Sequence, residues 1–181
     1  MSGDEINELH EHAEHAKHNP ALAPVSLTMA VLAVLVAVVS LMGHRAHTEE
    51  VILQAKASDQ WAFYQAKNIR GHEDKLFANL TAIAASGQPE ALAKVREEYL
   101  QESERYKEEQ KEIESEARKL EGEVATERKR ADRYDLGEVF LEIGLVVTSI
   151  TLLSGRRLFW YLGLLMGALG MVVAVTGLLV K

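Results

Sequence analysis

Residues Ala21 to Gly43 read ALAPVSLTMAVLAVLVAVVSLMG, 23 positions without a charge. About 20 apolar residues in a helix cross a bilayer core of ~30 Å. Backbone polar groups find no water in lipid, so such a stretch must pair its own N–H and C=O groups as a helix. No other feature limits the fold as strongly. A secretory signal would have a basic start and a shorter apolar core. Here the preceding residues hold Asp4, Glu5, Glu8, Glu11 and Glu14 against Lys17 alone. The stretch therefore reads as an uncleaved transmembrane helix over 20–43, with Asn19 placed to cap it and Pro20 in its first turn. An acidic, His-rich tail, 1–19, precedes it.

Two further apolar stretches lie near the other end. The second covers 136–153 and carries Glu138 and Glu142 near its start. Ser154-Gly155-Arg156-Arg157 then reads as a tight polar turn. The third, 158–180, is uncharged, and Phe159, Trp160 and Tyr161 sit beside the arginine pair, where aromatic residues suit a membrane–water interface. Along the third stretch Gly163, Gly170 and Gly177 recur every seven residues, and Gly167 adds a G-x-x-x-G step. Small residues let helices approach closely in lipid, so this stripe is expected to pack against another helix; glycine is also simply common in transmembrane helices.

Between 44 and 135 the apolar residues recur at helical spacing, with no strand pattern. One break interrupts them, Ser86-Gly87-Gln88-Pro89, with glycine suited to end a helix and proline to begin the next. It leaves arms of 43 and 46 residues, His44 to Ser86 and Glu90 to Asp135. Arms so nearly equal can leave the membrane, turn at 86–89 and return. On the second arm Leu92, Tyr99, Tyr106, Ile113, Leu120, Glu127 and Tyr134 are seven apart. Four residues after successive members come Arg96, Ser103, Gln110, Ala117, Val124 and Ala131. On the first arm Ala55, Ala62, Ile69, Leu76 and Ile83 are seven apart, with Ala66 and Leu80 on the same stripe. A seven-residue repeat of this kind is a coiled-coil seam, here an imperfect one because both seams contain polar residues. The expected fold is thus an all-α membrane protein, with three transmembrane helices and a long extramembrane antiparallel coiled-coil hairpin between the first and second.

Charge narrows the function. The formal net charge is −7, which disfavours nucleic-acid binding, and cysteine is absent, which removes thiolate nucleophiles and Cys-based zinc sites. Glu97 to Arg130 carries twelve acidic and eight basic side chains, the composition of a solvated helix face. No phosphate-binding Gly-rich loop, nucleophile elbow or H-E-x-x-H pattern is present, and no cofactor is expected.

The stretch Trp61-Ala62-Phe63-Tyr64-Gln65-Ala66-Lys67-Asn68-Ile69-Arg70 is distinctive, as is Asn19-Pro20-Ala21-Leu22-Ala23 before the first apolar stretch. With these two elements the chain resembles an uncharacterised bacterial family of small membrane proteins, classed as a domain of unknown function. Its members carry an acidic, His-bearing tail, an Asn-Pro-x-Leu-Ala element and a Trp-Ala-x-Tyr-Gln-Ala-Lys motif. The resemblance covers most of the chain and implies a bacterial inner-membrane location. It supplies no activity.

Three groups of residues are candidate sites, each with a plainer reading. His10, His12, His15 and His18 combine with glutamates into a set that suits zinc, nickel or copper; the plainer reading is a solvated tail. Asp135, Glu138, Glu142 and Ser149 share one helical stripe. Repeated around an oligomer, Glu142 would form an acidic ring as in cation pores, whereas a carboxylate one turn inside the membrane could also reach back toward water. Trp61, Tyr64, Gln65, Lys67 and Arg70 lie ~27 Å beyond Gly43 along a continuous helix, too far for an interfacial belt, and so form a packed layer or a partner site. Off-stripe aromatics, Trp61, Phe63, Tyr64 and Phe77, are expected to pack between subunits.

The overall expectation is a non-enzymatic, homo-oligomeric membrane protein in contact with lipid, whose hairpin binds itself or an unidentified protein. An ion channel or metal-handling protein is the alternative. The excess of basic residues on the hairpin side places the hairpin in the cytoplasm, against the opposing pull of Arg156 and Arg157 in their short turn.

Overall fold

The computed structural model describes residues 22–84 and 89–180. Every regular element among them is helical: α1, Ala23–Ala84; α2, Pro89–Ser154; and α3, Arg157–Leu178. Each contains a window long and apolar enough to cross a membrane. The chain divides into two compact units. Among the described residues, an apolar unit takes those up to Glu49 and from Thr126 onward, and a polar unit takes those between Glu50 and Ala125. Residues 86–88 of the expected turn, and the tail with Asn19 and Pro20, lie outside the described residues.

In the apolar unit, α2 and α3 meet through glycine. A Cβ added to Gly137 would lie 2.9 Å from the Gly170 carbonyl oxygen, and one added to Gly144 would lie 2.9 Å from the Gly163 carbonyl oxygen. The reverse approaches, from Gly163 and Gly170, are as tight, so backbone touches backbone along this crossing. Without a hydrophobic force between helices in lipid, such close packing is what holds them together. The first helix adds Leu32, whose Cδ2 would lie 2.6 Å from a Cβ at Gly167. The core around this contact contains Leu32, Val39, Ala46, Tyr134, Leu141 and Ala174.

Polar groups here are tied down locally. Thr148, fully buried, donates to the Gly144 carbonyl at 2.7 Å. Trp160 donates from Nε1 to the Thr28 hydroxyl at 3.1 Å, linking α3 to α1. Arg130 donates to the Val180 carbonyl at 3.1 Å, placing a cation at the C-terminal end of α3, where the helix dipole favours it. After α2, Gly155 takes φ +65° and donates its N–H to the Thr151 carbonyl at 2.9 Å. Glycine enters that left-handed conformation without a Cβ penalty, which explains its place at this helix end.

In the polar unit the two arms contact each other in opposite chain directions. Trp61 meets Glu121, Lys67 meets Glu109, Gly71 meets Ser103, and Phe77 stacks on Tyr99 with ring centroids 5.6 Å apart. On α2, Ser103, Ile113 and Ala117 are buried, and Tyr99, Tyr106, Gln110 and Leu120 are half-buried. On α1 the inward line is Leu53, Ala57, Gly71 and Ala78, with Trp61, Tyr64 and Lys67 half-buried beside it.

This corrects the first-arm seam. Ala55, Ala62, Ala66, Ile69, Leu76, Leu80 and Ile83 are all exposed; Ile69 is 60% and Ile83 79% accessible. Two residues along the helix shift the face by ~200°. Small residues win the inner position because they let the arms close. A Cβ at Gly71 would already lie 3.5 Å from the Tyr106 Cβ, and Ser103 bonds the Gly71 carbonyl at 3.1 Å. The off-stripe reading of Trp61 and Tyr64 is corrected with it, since both lie on the side of α1 that faces α2.

Candidate functional site

The Trp61–Arg70 stretch splits into two faces. Its inner face is a set of charge-assisted and aromatic contacts. Trp61 donates from Nε1 to Glu121 Oε1 at 2.9 Å, meets Tyr64 edge-on with centroids 5.6 Å apart, and lies 5.8 Å from the Arg118 guanidinium. Lys67 is the centre of the next layer. Its ammonium bonds Glu109 Oε2 at 2.5 Å and lies 4.8 Å from the Tyr106 ring and 5.5 Å from the Phe63 ring. That hydrogen bond, aided by the Lys67 and Arg105 charges, holds the Glu109 carboxyl below its ordinary pKa against the opposing effect of burial.

The outer face of the same stretch holds Gln65, Ile69 and Arg70, all exposed. Gln65, Asn68, Ile69, His72, Glu73 and Leu76 line a shallow groove of about 460 Å³ on α1. The α2 arm contrasts with it. Among its described residues 90–125, Val95 is the one large apolar side chain exposed. Its outer surface is instead a ladder of intrahelical ion pairs. These include Glu102–Arg105 at 2.6 Å, Glu108–Lys111 at 2.8 Å and Glu114–Arg118 at 2.8 Å. The Glu108 hydrogen bond raises the Lys111 pKa, and the Lys107 hydrogen bond lowers that of Glu104.

The remaining candidates are separated. Glu138 is half-buried and Glu142 exposed on the apolar unit, so Glu142 faces outward from the single-chain bundle. Asp135, on the same stripe, bonds His47 Nε2 at 2.9 Å. Gly163, Gly167, Gly170 and Gly177 are all buried in helix contacts, Gly177 beneath the Tyr134 ring. His10, His12, His15 and His18 lie outside the described residues; among those described, no group of three or more His, Asp or Glu side chains is arranged to hold a metal ion.

Sequence reasoning passed over Gly137 and Gly144, which complete the glycine contact, and Gly71, which with Ser103 of the second-arm seam sets the approach of the two arms. A signal was present for the first pair: they are seven apart on α2, the same interval as the stripe on α3.

These features define an all-helical protein with three helices fit to cross a membrane. The chain belongs to the family described as Domain of unknown function (DUF4337), which matches residues 21–180 and so takes in all three helices. No curated protein and no solved structure matches it.

Proposed function

We propose that this is a non-enzymatic membrane scaffold of the bacterial inner membrane, whose polar unit is a coiled-coil hairpin outside the bilayer that works by association. The observation that carries this reading is the asymmetry of the polar unit. One arm turns ion pairs to water, while the other turns outward a row of large apolar side chains, Leu76 at 57% and Ile83 at 79% exposure among them. Contiguous exposed apolar surface rimmed by polar residues marks an interaction site. The charge distribution favours a cytoplasmic hairpin. Native mass spectrometry of the detergent-solubilised protein tests the reading; a homo-oligomer is expected, and a monomer that captures no protein from its membrane would refute it.

The second reading is a cation pathway. It is favoured by Glu142, an ionisable side chain facing outward within an apolar stretch, where it needs water, a neighbouring subunit or a cation. Cation flux in proteoliposomes that falls on Glu142→Gln is the result it requires.

A further inference from the structure

We infer that the outer stripe of the first arm is a homodimer seam, on which a second copy of this chain lays the same stripe in parallel and in register. The inference rests on the association reading above and deepens it by naming the face and the occupant.

The stripe has the geometry of a seam with a vacant side. Ala55, Ala62, Ile69, Leu76 and Ile83 recur at seven residues, and Ile52, Asp59, Ala66, Glu73 and Leu80 recur at seven residues three positions earlier. A sustained seven-residue repeat fits a helix as its partner. The α2 arm does not fill this role, because it packs on the line of Ala57, Gly71 and Ala78 instead. One helix thus carries two seams, and one of them is uncovered.

The area is sufficient. Ile52, Ile69, Leu76, Leu80 and Ile83 are each between 42% and 79% exposed, and Ala55, Ala62 and Ala66 are exposed between them. Together they offer on the order of 600 Å², the lower end of the ~600–1,000 Å² per partner of a standard stable interface. A second copy is also electrically acceptable. Asp59 and Glu73 lie on the stripe and Lys56 and Arg70 beside it, and the four sum to zero, so two stripes do not repel through net charge. Asp59 and Glu73 would face their own copies, and Lys56 and Arg70, three residues before them on the same helix, supply the opposite charge.

Register follows from the chain itself. In every copy the stripe starts the same number of residues after the apolar stretch of α1. Two copies inserted in one membrane therefore present the same residues side by side and in the same direction. The matching patches define an isologous, two-fold contact.

Because the chain has no cysteine, disulfide trapping is unambiguous. Ile69→Cys and Leu76→Cys place thiols on the stripe, and Glu116→Cys places one on the charged outer face of α2. Mild oxidation of membranes containing the full chain should give a disulfide dimer at positions 69 and 76 and none at 116. Equal linking at all three positions, or a link from position 69 to a different polypeptide, overturns the inference. So does an Ile69→Glu/Leu76→Glu double variant that keeps its helical circular dichroism and still runs as a dimer in native mass spectrometry; loss of the dimer supports the seam. An oligomer that persists while positions 69 and 76 stay unlinked refutes this face alone, whereas a monomeric parent protein in native mass spectrometry refutes self-association altogether.

Discussion

At the residue scale, glycines divide by what a Cβ would meet. At Gly170 it would lie 2.7 Å from the Gly137 carbonyl oxygen and 2.9 Å from Leu141, so the helices must move apart. Gly170→Val is expected to destabilise the apolar unit by about 1–3 kcal/mol, the range for overpacking, seen as a lower thermal midpoint in detergent. At Gly122 an added Cβ meets nothing within 4 Å. Gly122→Ala should therefore stabilise the α2 helix by about 1 kcal/mol, the difference in helix propensity, and raise the midpoint in the same assay. Lys67 and Glu109 give a pH signature. A carboxyl whose pKa is lowered by folding contributes stability above its unfolded pKa, and that contribution is lost as pH falls through the folded value. Lys67→Met is expected to lower the midpoint at pH 7 and to lessen its decline between neutral and acidic pH, read from melts across that range. The composition of the Trp61–Arg70 stretch made it a packing or partner candidate. Only contacts assigned Trp61 and Lys67 inward and Gln65 and Arg70 outward, because a ten-residue helical segment presents every direction in turn.

At the element scale, the first arm carries two heptad-spaced lines, and counting apolar side chains selects the wrong one for the internal contact. Leucine and isoleucine gain more from burial than alanine does, so 69, 76 and 83 look like the seam. Close approach to Tyr106 and Ser103 demands a small residue instead, which Gly71 supplies, and Ala78 continues the same buried line. Ala78 is fully buried, so Ala78→Leu should cost about 1–3 kcal/mol through overpacking, whereas Leu76→Ala should leave the midpoint of the isolated protomer nearly unchanged. Thermal melts of the two variants, made dilute in detergent, check the contrast. The second arm was easier to read. Between Glu97 and Thr126 its charged residues crowd every face except one, so the single line left over there is the one that packs.

At the scale of the whole molecule, three helices are long and apolar enough to cross a membrane, and three crossings, as proposed, would leave the segment after α3 in the same compartment as the hairpin. A reporter fused after Lys181 should therefore share its compartment with a modifiable cysteine placed at Glu116, and a reporter before Ser2 should not. Opposite labelling of Lys181 and Glu116 would overturn the three-crossing topology. The sequence by itself determined that the chain is helical, that three stretches are apolar enough to span a bilayer, and that a charged helical segment separates the first from the second. Hydrophobicity and period are properties of consecutive residues, so they can be read without knowing any partner. Tertiary structure alone decided which of two periodic faces on the first arm is covered, and which glycines on α2 receive the stripe on α3. Those choices depend on the fit of two surfaces that are distant in sequence. Periodicity reveals that a helix has a face to bury, while the shape of the opposing helix decides which face it is.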